Sequence, residues 1–139
     1  EDPAYAAAVE AMVPPGTIQW RGFLPTHTLQ QQLSSCRALI NTPKWNEAYG
    51  NVVVEALACG VPVVAYDRGG PGELITSGET GWLVPPDDVQ SLVTALRHVN
   101  QIDRFKCRDW AEKNATCEVF SARVERWIRD GLKADVSIG

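Results

Sequence analysis

Hydrophobic and polar positions along the chain predict alternating helices and strands. Pro3 to Val13 is rich in alanine and predicts a helix, stopped by Pro14-Pro15-Gly16. Thr17 to Leu24 (TIQWRGFL) alternates and is rich in β-forming residues, which predicts a strand. Pro25-Thr26 ends that strand, with Thr26 expected to cap a helix from His27 to Ser35. The apolar run from Arg37 to Thr42 predicts a short buried strand. Val52-Val53-Val54 favours a strand locally, but Glu55-Ala56-Leu57-Ala58 favours a helix, and Gly60 is a helix stop. Gly50 to Cys59 is therefore expected to be a buried helix. Val61 to Tyr66 (VPVVAY) is apolar throughout, as a parallel strand covered on both faces should be.

The remaining segments continue the alternation. Pro71 to Thr76 predicts a short helix with proline in its first turn, and Gly81 to Val84 a short strand. Asp87 or Asp88 is placed to cap a helix running to about Val99. Two more helices are expected near Asp103 to Ala115 and Phe120 to Leu132. In the last of these, Phe120, Val124, Trp127, Ile128 and Leu132 fall on one face. Strands alternating with helices across short, glycine-bearing connections predict an α/β fold, a Rossmann-like parallel sheet with helices on both faces. Ligands bind such sheets at the carboxyl ends of the strands. That places the loops Trp45 to Gly50 and Asp67 to Gly72 at the binding edge.

Composition narrows the function classes. The 139 residues fit one domain. A formal net charge of -4 and the lack of a basic, aromatic-interleaved stripe argue against a nucleic-acid surface. No apolar run approaches the roughly 20 residues that span a bilayer. Cysteines 36, 59, 107 and 117 form no CxxC pair, no histidine stands at zinc-finger spacing, and four reduced thiols in a cytoplasmic protein are expected. The chain opens on Glu-Asp-Pro, which suggests a piece of a longer protein.

Two acids carry the candidate chemistry. Glu47 and Glu55 stand eight residues apart on either side of Gly50. If Ala48 to Gly50 is the turn into the helix, the first free amides belong to Gly50, Asn51 and Val52. A helix start with free amides and a positive dipole end suits phosphate, and a glycine there admits close approach. Glu47, in the loop, can accept hydrogen bonds from hydroxyl groups. Glu55, about 8 Å along the axis, can accept a pair from a vicinal diol such as ribose. Together these outline a nucleotide-sugar site. The same residues also admit a purely structural reading, in which Glu55 pairs with Arg37 or Arg68 and Glu47 is a solvated loop acid.

The segment EAYGNVVVEALACGVPVVA, Glu47 to Ala65, resembles the E-x7-E signature of family 4 retaining glycosyltransferases of the GT-B fold, through Glu47, Tyr49, Gly50, Glu55, Ala56, Ala58, Gly60, Pro62, Val63 and Val64. GGPGELI (Gly69 to Ile75), GETGWLVPPDD (Gly78 to Asp88) and IQWRGFLP extend the resemblance over most of the chain. The resemblance implies that residues 1–139 are the donor-binding, C-terminal half of a GT-B fold, truncated at the N-terminus. The 118–133 helix would pack on the absent acceptor domain. Glu47 would be the catalytic residue, contacting the hydroxyls of the transferred sugar. Tyr49 and the amides of Gly50, Asn51 and Val52 would hold sugar and diphosphate, Glu55 the ribose, and Phe23 and Leu24 the base.

The transfer would retain anomeric configuration and move a hexose from a nucleotide-diphosphate sugar to a saccharide, lipid or small-molecule acceptor. No cofactor and no metal is expected. Any membrane association of the cytoplasmic enzyme would come through the absent half. By the resemblance, the basic residues of the family's diphosphate site would precede this chain. Arg21, Lys44 and Arg68 are the candidate substitutes, and the isolated chain is expected to be inactive. Ala48 and Tyr49 stand where proline and phenylalanine are commoner. Trp45, next to Glu47, and Glu73 could line the donor cleft, whereas His27 and His98 are expected at the surface. The alternatives are a noncatalytic nucleotide-binding module and a GT-B nucleotide-sugar epimerase or hydrolase.

Overall fold

The computed structural model describes residues 2–136. Three parallel strands, β1 (Leu39–Asn41), β2 (Val63–Tyr66) and β3 (Gly81–Val84), form a sheet in the order β1-β2-β3. Leu39 lies opposite Val63, and Val63 opposite Gly81, so the three strands end on one edge. The α-helices among the described residues are α1 (Pro3–Glu10), α2 (Thr26–Ser35), α3 (Asn51–Ala58), α4 (Pro71–Leu74), α5 (Val89–His98), α6 (Arg104–Asn114) and α7 (Cys117–Val136).

Alternation along β2 explains the layering. Every residue of β2 is buried, and successive side chains point to opposite faces. Val63 and Ala65 join Val53, Ala56 and Leu57 of α3, Leu74 of α4, and Cys107 and Ala111 of α6 in one core. Val64 and Tyr66 join Val84, Ala95 of α5 and Val99 in a second core on the other face. The sheet therefore has helices on both faces, as the sequence pattern predicts.

Local signals set the helix ends. Asp88 caps α5, its carboxylate accepting from the Ser91 amide at 2.9 Å and the Ser91 hydroxyl at 2.6 Å. Those two bonds hold its carboxyl below the ordinary carboxylate value, the hydroxyl bond first. Asp103 caps α6. Helix α3 ends in a Schellman turn: the Val61 amide bonds Ala56 O at 2.8 Å and the Gly60 amide bonds Leu57 O at 2.9 Å.

Five expectations are corrected. Thr17 to Leu24 is not a strand, because these residues join no ladder among the described residues and an alternating segment needs partners for its amides and carbonyls. Thr26 is the first residue of α2 rather than its cap. Pro25 occupies the cap position, and no side-chain capping bond forms. Helix α3 is not buried all round: Val53, Ala56 and Leu57, at i, i+3 and i+4, face the core, while Val52, Glu55 and Ala58 face outward. Finally, β1 is an edge strand rather than a buried one, with Ile40 51% exposed. The apolar stripe of α7 is also exposed. Phe120, Val124, Trp127, Ile128 and Leu132 are all open, Trp127 to 77%.

Candidate functional site at the carboxyl edge of the sheet

The loops after all three strands gather at one edge. The loop after β1 carries Glu47, Tyr49 and Gly50. The loop after β2 carries Arg68, Gly69 and Gly70, and the loop after β3 carries Asp87. The first two loops lock together through their backbones. Glu47 pairs with Gly69 in an isolated parallel bridge, and the Gly70 amide bonds Glu47 O at 2.7 Å. The glycines permit this approach. A Cβ on Gly69 would stand 2.3 Å from Glu47 O, and one on Gly70 would stand 2.1 Å from Tyr49 O.

Gly50 turns the chain into α3 with φ 97°, in the left-handed region where glycine carries no side-chain penalty. Its carbonyl accepts from the Val53 amide at 2.9 Å and the Val54 amide at 3.3 Å. Among the described residues, the amides of Gly50, Asn51 and Val52 have no acceptor, so they are free donors at the positive end of the helix. Asn51 and Val52 are exposed, and Tyr49 lies open beside them. The Glu47 side chain is half-buried and accepts a hydrogen bond from Trp45 Nε1 at 3.3 Å.

Glu55 lies four residues into α3, about 6 Å along the axis from Asn51. Its carboxylate is exposed and has no partner among the described residues. It does not pair with Arg37, which donates to Asn100 Oδ1 at 2.7 Å, or with Arg68, which donates to Pro43 O and Asp87. It faces a cleft of about 760 Å³ between α2 and the outer face of α3, lined among others by Phe23, Leu24, His27, Gln30 and Arg108.

The residues chosen from sequence thus fall into two neighbouring groups. Phe23, Leu24 and Glu55 share the cleft. Glu47, Tyr49, Gly50, Asn51 and Val52 stand at the adjoining helix start and do not line it. His27 is exposed, as expected, and it lines the cleft together with Gln30, because their i, i+3 spacing on α2 places them on one face. Arg108, on α6, had no sequence signal, because only the packing of α6 on α3 brings it near.

The candidate cations separate. Arg21 bonds the Gln19 side chain, Arg68 is committed to the two neighbouring loops, and Lys44 is exposed within the Glu47 loop. Trp45 is oriented by its bond to Glu47, and Glu73 is an exposed acid in the first turn of α4. His98 is exposed, with its Nδ1 2.8 Å from Thr94 O. Among the described residues no group of three histidine, cysteine or acidic side chains is arranged to hold a metal, and no helix is long and apolar enough to cross a membrane.

Several proteins of known kind are similar to this chain in sequence or in fold. Alpha-1,3/1,6-mannosyltransferase alg2 of Schizosaccharomyces pombe is 42% identical over 117 residues, which are 80% of this chain and 23% of that protein. D-inositol 3-phosphate glycosyltransferase of Rhodococcus opacus is 40% identical over 77 residues, 54% of this chain and 17% of that protein. The chain thus spans less than a quarter of the length of these curated relatives. Among solved structures, sucrose-phosphate synthase from Thermosynechococcus elongatus superposes with a TM-score of 0.78 at 24% identity, over 96% of this chain and 37% of that one. Anabaena HepE in complex with UDP-glucose superposes with a TM-score of 0.78 at 21% identity, over 91% of this chain and 37% of that one. Both likenesses show the fold alone, the α/β architecture of GT-B enzymes. The family model for glycosyl transferases group 1 matches residues 7–131, nine-tenths of the sequence, and the chain belongs to that family.

Proposed function

We propose that this chain is the donor-binding domain of a retaining hexosyltransferase that uses a nucleotide-diphosphate sugar. The observation that carries the reading is the placement of Glu55. Its unpaired carboxylate shares a cleft with Phe23 and Leu24, about one helical turn from three free amides. A ribose diol on Glu55 directs the base toward Phe23 and Leu24 and the diphosphate toward the amides of Gly50, Asn51 and Val52. The helix start favours that negative charge without a metal. Glu47 then lies beyond the diphosphate, where a carboxylate accepts from sugar hydroxyls. Charge stabilisation of the departing diphosphate is the principal catalytic demand. The UDP-glucose and UDP complexes of Anabaena HepE support a nucleotide-sugar donor, and the mannosyltransferase relatives support a hexose.

The acceptor, a saccharide, lipid or small molecule, is assigned to a partner domain of the same polypeptide, and the enzyme to the cytoplasm. The test is turnover by the full-length polypeptide with UDP-glucose and with GDP-mannose, followed by proton NMR. The expected result is release of the nucleoside diphosphate with the α-anomer as the first-formed sugar product. First formation of the β-anomer contradicts retention, and failure to consume any nucleotide sugar contradicts the reading.

A further inference from the structure

Arg68 is not free to meet a ligand's phosphate, although it stands at the right edge. Its guanidinium donates from one nitrogen to Pro43 O at 2.9 Å and from the other to Asp87 Oδ2 at 2.7 Å. The Arg68 side chain is 18% exposed. The two acceptors belong to different loops: Pro43 opens the loop that carries Glu47, and Asp87 sits in the loop after β3. Asp87 reaches this position with φ 64°, the one positive φ outside glycine among the described residues. That left-handed conformation is uncommon outside glycine, although aspartate tolerates it better than most residues. The planar fork of an arginine can satisfy both acceptors at once, whereas a lysine ammonium is a single point of charge.

The Glu47 loop is therefore fixed along its length by one neighbour. Arg68 holds its start at Pro43, Gly69 and Gly70 hold its middle at Glu47, and Gly70 abuts its end at Tyr49. From this geometry we infer that Arg68 is a positioning residue for Glu47, tying the three carboxyl-edge loops so that the Glu47 carboxylate is presented to the donor's sugar rather than to solvent. The inference about sugar rests on the function proposed above, while the positioning itself does not.

The test needs a readout of each part. Trp45 Nε1 donates to Glu47 Oε2, so the Trp45 indole resonance in a proton–nitrogen spectrum reports the carboxylate without any ligand. Arg68→Met should move that resonance. It should also weaken binding of UDP-glucose or GDP-mannose, whichever the protein takes, by roughly tenfold or more, the worth of one hydrogen bond to a charged group. Affinity for the matching nucleoside diphosphate should stay within about twofold, and Arg68→Lys should fall between. If Arg68→Met does not fold, Asp87→Ala releases one arm of the clamp from an exposed side chain and should move the same resonance.

A Trp45 resonance that stays in place overturns the inference, whatever the affinities do. A selective loss of sugar-nucleotide binding with the resonance unmoved would mean that Arg68 touches the donor directly. A moved resonance with unchanged sugar-nucleotide affinity overturns the inference if Glu47→Gln itself weakens that affinity. If Glu47→Gln also has no effect, the positioning stands and the sugar role of Glu47 falls.

Discussion

Gly70→Ala should be among the most damaging small substitutions in the chain. Gly70 has φ -47° and ψ -42°, ordinary for alanine, so no backbone strain is involved. The added Cβ would stand 2.1 Å from Tyr49 O, 2.5 Å from Tyr49 C and 2.7 Å from Tyr49 Cα. These are backbone atoms and cannot rotate away. Ordinary contact begins at 3.4 Å, so the Tyr49 segment must retreat by about 1.3 Å from 2.1 Å. A retreat of that size takes the 2.7 Å bond from the Gly70 amide to Glu47 O beyond hydrogen-bonding distance. The lost bond costs about 1 kcal/mol and the overpacking about 1–3 kcal/mol. For a domain of this size, the combined loss of about 2–4 kcal/mol lowers the melting temperature by roughly 7–13 °C.

Gly72→Ala is the control. Its Cβ would stand 2.5 Å from Asp67 Oδ1, the end of a flexible side chain that can swing aside. Alanine also suits the helix better than glycine there. Thermal unfolding of both variants beside the parent decides the matter. A Gly70→Ala melting temperature within about 3 °C of the parent, or equal to that of Gly72→Ala, would refute the claim that the two loops are locked by backbone contact.

Cys107, on the core-facing side of α6, is fully buried, and burial pushes its thiol up from 9.0 to about 11. The folded state therefore keeps the proton longer than the unfolded state. Stability from this group is complete below about pH 9 and falls as pH rises toward 11, by roughly 2–3 kcal/mol. Denaturant unfolding at pH 8 and pH 11 should show a larger loss for the parent than for Cys107→Ala, and equal losses would contradict the shift. Leu57, fully buried between α3, the sheet and α6, should cost about 2–5 kcal/mol as Leu57→Ala. A denaturant midpoint that implies less than about 1 kcal/mol would mean that α3 does not carry the core as described.

Most of the fold was legible because its signals are local. Asp88 and Asp103 are short acids directly before apolar periodic segments, and both cap their helices. Gly81 to Val84 is a strand at the predicted bounds. Glu55 looked buried because its sequence neighbours are apolar, but at helical spacing those neighbours divide between two faces. Thr17 to Leu24 misled because alternation describes a side-chain pattern, while a strand also needs a ladder partner. The candidate site was legible where one short segment holds it, Glu47 to Glu55. Arg108 in the cleft and the Arg68 clamp were not, because they depend on contacts between segments far apart in sequence, such as Arg68 with Pro43 and Asp87.

The central claim is that the two glutamates divide one donor, Glu55 taking the ribose and Glu47 the sugar. The most direct test is calorimetric titration of the protein, Glu55→Ala and Glu47→Ala with UDP, GDP and ADP, then with UDP-glucose and GDP-mannose. The account predicts that one nucleotide binds, that Glu55→Ala abolishes binding of both that nucleotide and its sugar form, and that Glu47→Ala weakens the sugar form alone. Nucleotide binding that survives Glu55→Ala undiminished, or a Glu47→Ala variant that loses both forms equally, would contradict it.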